Sequence, residues 1–238
     1  MTHDIHLKDR LIVALDMPTM EEAVRLVAHL QEGVHFYKVG LELLFAGGLD
    51  FARHLKAHSK RVFLDMKLLD IGNTVERAVA NAADFGVDFL TVHGQDLKTL
   101  HAAVVGRGNS PLKLLAVTVL TNLSADDLKQ QGSSMSPSDL VLHRARLAHQ
   151  AGFDGVIASG QEAERIRKAI GPDFLIVTPG IRLEGSVMDD QERVMTPERA
   201  IRAGADHIVV GRPITQSDDP RAAALAFVHH IRDALTLN

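Results

Sequence analysis

The chain has 238 residues, of which 46% are apolar, so it is long enough to bury a large core in one or two domains. It carries 26 Lys and Arg residues against 30 Asp and Glu residues, and the net charge of −4 argues against the positive field of a nucleic-acid-binding protein. It contains no cysteine, which excludes disulfides, thiolate catalysis and cysteine-ligated metals.

The apolar segments favour a cytoplasmic protein without a membrane partner. The N-terminal sequence MTHDIHLKDR lacks the apolar core of a signal peptide. Apolar runs such as LIVAL and LLAV are too short to cross a bilayer.

Short runs of β-forming residues alternate along the chain with segments of helical period, such as TMEEAVRLVAHLQE and NTVERAVANAADFG. Three sequences, FGVDFLTV, AGFDGVIA and AGADHIVV, repeat one pattern: a helix ends at Gly, Asp follows two residues later, and a strand begins. The predicted strands cover residues 10–16, 35–40, 61–67, 88–93, 112–120, 154–159, 173–179 and 206–212.

Eight strand–helix units in this length give about 30 residues per unit, close to the requirement of a (β/α)₈ barrel of roughly 250 residues. A doubly wound open sheet is the alternative architecture. It needs a topological switch and edge strands that the pattern lacks, and no Gly-rich dinucleotide motif follows the first strand. The sequence therefore predicts a TIM barrel that forms a single domain over residues 1–238.

Functional side chains of such barrels gather at the carboxyl ends of the strands. The seventh predicted strand runs into TPGIR and the eighth into VVGRPI, and Gly beside Arg at these positions is typical of a phosphate site. Thr118 is expected to line the barrel. Other polar residues at or after predicted strand ends are Asp16, Lys38, Asp65, Lys67, His93, Thr121 and Ser159.

Asp65 and Lys67 are the most informative of these residues. In an extended chain, residues two positions apart share a face, so an acid and a base project side by side, and Asp70 follows closely. The Asp-Lys-Asp cluster alone also fits a structural salt-bridge network at a strand end.

The ordered motifs ALD, YKVG, LDMKLLDIGNT, VTVLT, TPGIR and VVGRPI resemble the orotidine 5′-monophosphate decarboxylase family over almost the whole chain. The D-x-K-x-x-D-I-x-x-T element is the most specific part of the resemblance. It implies an enzyme of de novo pyrimidine biosynthesis that releases CO₂ from orotidine 5′-monophosphate to give UMP without a cofactor or metal. Many members carry Pro where this chain has Gly72, which should loosen the loop.

The resemblance also implies an array of alternating charges around the reacting carbon. Lys67 would stabilise the carbanion and then protonate it. The array comprises Lys38, Asp65, Lys67 and Asp70. The sites would be shared in a homodimer, and the neighbouring subunit would contribute Asp70, Ile71 and Thr74.

The remaining implied contacts are to the parts of the nucleotide that do not react. Asp16 and Lys38 would hold the ribose hydroxyls, and Thr121 the amide edge of the pyrimidine. Gln191 lies in the polar, Gly-containing segment RLEGSVMDDQER, which is typical of a lid. The residues implied to grip the 5′-phosphate are Arg182, Gln191, Gly211 and Arg212.

Two rival functions fit part of the pattern. The first is a metal-dependent sugar-phosphate decarboxylase or aldolase of the same barrel superfamily, which resembles EVG at the second strand and DAG after the third. This chain has KVG and DIGNT, and a lysine at a metal position is a strong objection. The second is a catalytically silent phosphate-binding barrel, which would not need all four charges.

The histidines carry weaker hypotheses. His93 ends a predicted strand, where packing or indirect support is favoured over direct substrate contact. His54 and His58 lie one helical turn apart, but no third ligand has suitable spacing, so no metal site is expected.

Overall fold

The computed structural model describes residues 5–183 and 195–236. Eight parallel strands follow one another in sequence order around a closed barrel, and the last strand pairs with the first. The strands are β1 Leu11–Ala14, β2 Phe36–Gly40, β3 Arg61–Leu68, β4 Phe89–His93, β5 Lys113–Val117, β6 Gly155–Ile157, β7 Leu175–Thr178 and β8 His207–Val210. The predicted TIM barrel is confirmed, and of the predicted strands only β3 extends beyond its bounds, by one residue.

Helices connect the strands and cover the outside of the barrel. They are α1 Leu7–Arg10, α2 Met20–Leu30, α3 Leu41–Leu43, α4 Leu49–Ala57, α5 Gly72–Phe85, α6 Leu97–Arg107, α7 Ala125–Gln130, α8 Pro137–Ala151, α9 Gly160–Ile170, α10 Pro197–Arg202, α11 Arg212–Thr215 and α12 Pro220–Thr236. A 3₁₀ turn, Gln31–Gly33, follows α2, and a π-helical segment, Leu44–Gly48, joins α3 to α4. Within the described ranges, no helix is long and apolar enough to cross a membrane.

The repeated Gly-x-Asp pattern has a structural reason. Each Asp precedes an even-numbered strand, and its carboxylate accepts a hydrogen bond from a backbone N–H near the start of the preceding strand. Asp88 accepts from Val62 at 2.8 Å, and Asp154 accepts from Leu114 at 2.9 Å. Asp206 accepts from Ile176 on β7 at 2.8 Å. These carboxylates therefore fix how neighbouring strands begin at the amino-terminal end of the barrel.

Aromatic rings fill the middle of the barrel. The ring centroids of Phe36 and Phe89 are 4.9 Å apart, and those of Phe63 and Phe89 are 6.0 Å apart. His207 lies 5.2 Å from Phe89 in an edge-on arrangement. The barrel interior is therefore a packed layer at this height, as expected for an eight-stranded barrel.

Two cavities lie at opposite ends of the barrel, one of about 750 Å³ at the carboxyl ends of the strands and one of about 700 Å³ at their amino ends. Phe63 lines the first cavity, whereas Phe89 and His207 line the second. Across the described part of the chain, the two cavities share no lining residue. The cavity at the carboxyl ends is the candidate site, because this fold places its functional groups there.

Candidate active site

The cavity at the carboxyl ends of the strands collects most of the predicted site residues. Asp70, Ile71 and Thr74 are exposed and do not line it. Gln191 lies outside the described residues. The predicted residues that line the cavity are Asp16, Lys38, Asp65, Lys67, Thr121, Arg182, Gly211 and Arg212.

Strand alternation explains how two of these charges reach the cavity. Lys38 lies two residues after Phe36 on β2, and Asp65 lies two residues after Phe63 on β3. Residues two apart on a strand share a face, so the charged side chains form a layer directly above the aromatic rings. Both residues are almost completely buried, with 7% and 8% of their surface exposed.

The charges form a chain of ion pairs. Lys38 Nζ lies 2.8 Å from Asp16 Oδ1 and 3.4 Å from Asp65 Oδ2. Lys67 Nζ lies 2.7 Å from the same Asp65 oxygen. One carboxylate oxygen therefore faces two ammonium groups.

The surroundings keep the buried members of this network ionised. Burial opposes the charged form of Lys38, but the carboxylates of Asp65 and Asp16 outweigh it and raise its pKa. Burial likewise opposes the ionised form of Asp65, and the pKa of its carboxyl is nevertheless lowered by Lys38, Lys67 and a hydrogen bond from Thr91. The cavity therefore contains fixed charges of both signs at neutral pH.

The end of β3 has an irregular backbone. Leu64 pairs with Leu90 and Leu68 with Val92, so three residues of β3 lie opposite one residue of β4. Lys67 lies within this bulge and has a φ of 50°, in the left-handed region that non-glycine residues rarely adopt. Asp65 and Lys67 thus belong to a locally distorted segment.

Asp70 is separate from the network within a single chain. Its exposed carboxylate accepts a hydrogen bond from the N–H of Ile71 at 2.6 Å, and it forms no ion pair with the described residues. Ile71 is 73% exposed and Leu69 is 50% exposed. The structure therefore brings together three of the four predicted array members, Lys38, Asp65 and Lys67.

The predicted phosphate residues follow β7 and β8. Arg182 is buried, and its guanidinium donates a hydrogen bond to the carbonyl of Ile181 at 3.0 Å. Gly180, with a φ of 75°, turns the chain at the end of β7. Gly211 precedes α11, which begins at Arg212. These residues therefore line the cavity next to the ends of β7 and β8, which is where this fold favours phosphate binding.

A family model described as orotidine 5′-phosphate decarboxylase / HUMPS family matches residues 9–227. The chain belongs to this family. The predicted resemblance to orotidine 5′-phosphate decarboxylases is thereby confirmed.

Two relatives with the same name support this family membership. Rhodopseudomonas palustris and Nitrobacter winogradskyi have relatives that are both named orotidine 5′-phosphate decarboxylase. The first is 51% identical over 236 residues, covering 99% of this chain and 100% of its own. The second is 52% identical over 235 residues and covers 98% of both chains. The predicted enzyme class, a carboxy-lyase, is the class of the enzymes that these names describe.

A solved structure of orotidine 5′-phosphate decarboxylase from Lactobacillus acidophilus superposes with a TM-score of 0.83. It is 37% identical, and the match covers 94% of this chain and 99% of that one. The family relationship therefore extends to the whole architecture.

Two further residues, Gly40 and Thr91, shape the site, although neither was among the predicted site residues. A Cβ at Gly40 would lie 2.6 Å from Asp16 Oδ1 and 2.9 Å from Lys38 Nζ, so only glycine leaves room for that ion pair. Thr91 hydrogen-bonds both to Asp65 and to the backbone of Lys67. For Thr91, the sequence does contain a signal, because strand alternation in FLTVH places it on the same face as Phe89.

Other polar strand-end residues have structural partners. Ser159 caps α9 by accepting a hydrogen bond from Gln161, and Thr118 donates one to Ile157 at 2.8 Å. His93 has a buried Nδ1 without a hydrogen-bond partner among the described residues, and its pKa is lowered by burial and by Arg144. Among the described residues, no cluster of His, Asp or Glu is suited to a metal ion.

Proposed function

We propose that this chain catalyses the decarboxylation of orotidine 5′-monophosphate to UMP and CO₂. The observation that carries the proposal is the paired arrangement of Lys38, Asp65 and Lys67 at the mouth of the barrel. The family relationship and the two relatives at 51% and 52% identity support the choice of substrate.

The chemistry requires a fixed cation beside the reacting carbon. When the bond between C6 and the carboxylate breaks, its electron pair stays on C6 in the plane of the ring, where it cannot delocalise into the π system. Lys67 lines the cavity, and its ammonium is held by Asp65 at 2.7 Å. In the proposed mechanism it stabilises the developing anion and then transfers a proton to C6, while CO₂ leaves.

Asp65 has two effects in this mechanism. It holds Lys67 and Lys38 in place, since its Oδ2 atom faces both ammonium groups. It also lies close to the carboxylate of the bound substrate, a contact between like charges that is relieved as CO₂ departs. Binding of the remote phosphate supplies interaction energy that offsets this repulsion.

The remaining groups bind the nucleotide. Asp16 and Lys38 hold the ribose hydroxyls, and Thr121 holds the amide edge of the pyrimidine. These assignments are supported by the position of all three residues on the wall of the cavity. The 5′-phosphate is held by Arg182, Gln191, Gly211 and Arg212, of which the three described residues lie along the cavity wall formed by β7 and β8.

The proposal includes a homodimer with shared sites, in which Asp70, Ile71 and Thr74 complete the site of the neighbouring subunit. The exposure of all three residues in a single chain supports this arrangement. The reaction needs no metal or organic cofactor, because ammonium groups supply the positive charge. We place the enzyme in the cytoplasm, in de novo pyrimidine biosynthesis.

The test is the loss of orotidylate absorbance on mixing with the protein. Lys67→Ala should abolish turnover and leave UMP binding largely intact, because it removes the stabilising cation and the proton donor but no phosphate contact. Lys168→Ala, at an exposed position on α9, is the matched control and should retain full activity.

Turnover of Lys67→Ala within about tenfold of wild type would contradict the assignment. A chelator should not affect the wild-type rate. A requirement for Mg²⁺ would instead favour the metal-dependent sugar-phosphate reaction.

A further inference from the structure

The bulge at the end of β3 lies opposite a single residue of β4. Between the paired positions Leu64–Leu90 and Leu68–Val92, β3 contains Asp65, Met66 and Lys67, whereas β4 contains Thr91 alone. Thr91 is completely buried and does not line the cavity. It therefore lies behind Asp65 and Lys67 and not on the cavity wall.

The Thr91 hydroxyl bonds to both ends of the distorted segment. Its Oγ1 accepts a hydrogen bond from the backbone N–H of Lys67 at 2.9 Å. The same oxygen donates to Asp65 Oδ1, also at 2.9 Å. Because an N–H can only donate and an ionised carboxylate can only accept, the direction of both bonds is fixed.

The first of these bonds stabilises an unfavourable backbone conformation. A lysine with a φ of 50° carries a steric cost that the surrounding structure must offset. The bond to Thr91 gives the N–H of Lys67 a partner at the position where regular strand pairing is interrupted. It therefore fixes the point from which the Lys67 side chain projects.

The second bond sets the rotation of the Asp65 carboxylate. With Oδ1 held by Thr91, the other oxygen, Oδ2, is directed at Lys67 Nζ at 2.7 Å and at Lys38 Nζ at 3.4 Å. The hydrogen bond also lowers the pKa of Asp65.

We propose that Thr91 is a positioning residue for the decarboxylation, and that its hydroxyl holds Asp65 and Lys67 in the geometry that presents their charges to the reacting carbon. This inference rests on the proposed function, since it assigns Thr91 a role in that reaction. It predicts that the hydroxyl matters for turnover more than for nucleotide binding.

The experiment compares three variants of the full-length protein. Thr91→Val removes the hydroxyl and keeps the shape, and Thr91→Ser keeps the hydroxyl. Thr118→Val is the matched control, because Thr118 is equally buried at the end of β5 but donates only to the carbonyl of Ile157. The measurements are kcat and KM for orotidylate, the dissociation constant of UMP, and kcat as a function of pH.

Thr91→Val should lower kcat about tenfold or more, with UMP binding within about threefold of wild type, because displacement of a reacting group costs rate more than affinity. Thr91→Ser and Thr118→Val should keep kcat within about threefold of wild type. Loss of the hydrogen bond raises the pKa of Asp65, so the acidic limb of the kcat profile should move to higher pH in Thr91→Val.

The proposal is overturned if Thr91→Val turns over within about threefold of Thr118→Val, or if Thr91→Ser loses as much activity as Thr91→Val. If Thr91→Val does not fold, Thr91→Ala removes the same hydroxyl, and its kcat is compared with those of Thr118→Val and Thr91→Ser instead. Failure of the proposed function is distinguished by the wild-type protein, which would then not consume orotidylate at all.

Discussion

At the scale of single residues, Gly40 leaves the space that the ion pair between Asp16 and Lys38 occupies. Gly40→Ala would place a methyl group 2.6 Å from the carboxylate and 2.9 Å from the ammonium. Both atoms end flexible side chains, so the fold should survive while the pair is displaced. We expect kcat/KM for orotidylate to fall about tenfold or more with little change in melting temperature.

Gly33→Ala is the control for this prediction, because a Cβ there would meet only Leu225 at 3.9 Å. It should leave the steady-state kinetics unchanged. Equal kinetics for Gly40→Ala and Gly33→Ala would show that the spacing of this ion pair does not limit the reaction.

His207 makes stability depend on pH. Burial, followed by the charges of Arg61 and Arg10, lowers its pKa from the ordinary histidine value of about 6.5 to about 3. Between these values the unfolded chain binds a proton that the folded chain does not. The contribution of His207 to stability is therefore complete above pH 6.5 and is lost as pH falls toward 3.

We expect His207 to add about 1.4 kcal/mol per pH unit to the slope of the unfolding free energy within this window. His207→Asn keeps a donor for the carbonyl of Asp9, which the ring contacts at 2.7 Å, but cannot titrate. Denaturant unfolding from pH 4 to 6 should show a shallower slope for the variant. An unchanged slope would contradict a neutral, buried His207.

At the scale of elements, the contact between α5 and α6 depends on Gly106. A Cβ at this position would lie 2.2 Å from the backbone oxygen of Glu76, so the two helices approach as closely as their backbones allow. Gly106→Ala should push α5 outward and destabilise the fold by about 1 to 3 kcal/mol. Because Asp70 and Ile71 directly precede α5, activity should fall as well.

The neighbouring substitution Val105→Ala tests whether this effect is specific. Val105 is 63% exposed on the same helix, so its loss should change the unfolding free energy by less than about 0.5 kcal/mol. Chemical denaturation of both variants measures the difference. Equal stability of Gly106→Ala and wild type would mean that the helices can separate without cost.

Local sequence determines most of these elements but not the distortion of β3. The period-two pattern predicts that Lys38 and Asp65 follow buried aromatic residues, and the structure has them there. The bulge depends on how β3 pairs with β4, which is a contact between distant segments. The left-handed conformation of Lys67 and the hydrogen bonds of Thr91 to both sides of the bulge were for that reason not predicted, although strand alternation places Thr91 on the same face as Phe89. Whether Asp70 completes a site in another subunit depends on an assembly that one chain does not contain.

At the scale of the whole molecule, the proposed shared site predicts complementation between two inactive variants. Lys67→Ala and Asp70→Ala homodimers should each be severely impaired. A mixed dimer would combine the intact Lys67 of one chain with the intact Asp70 of the other in one of its two sites. Random exchange of equal amounts should therefore restore about a quarter of wild-type activity under two-fold symmetry.

Subunit exchange must be verified independently, for example with two differently tagged chains. If exchange is complete and no activity returns, Asp70 serves the site of its own chain. Recovery that rises and falls with the proportion of mixed dimers would support the shared arrangement.

The layer of rings formed by Phe36, Phe63 and Phe89 separates the cavity at the carboxyl ends of the strands from the cavity at their amino ends. Within the described part of the chain, the cavities above and below this layer share no lining residue. In the proposed reaction, CO₂ released beside Lys67 would meet this aromatic layer along the barrel axis, and the mouth of the cavity is the expected exit. CO₂ and UMP would then leave by the same opening, and any segment that closes over the mouth would control the escape of both products.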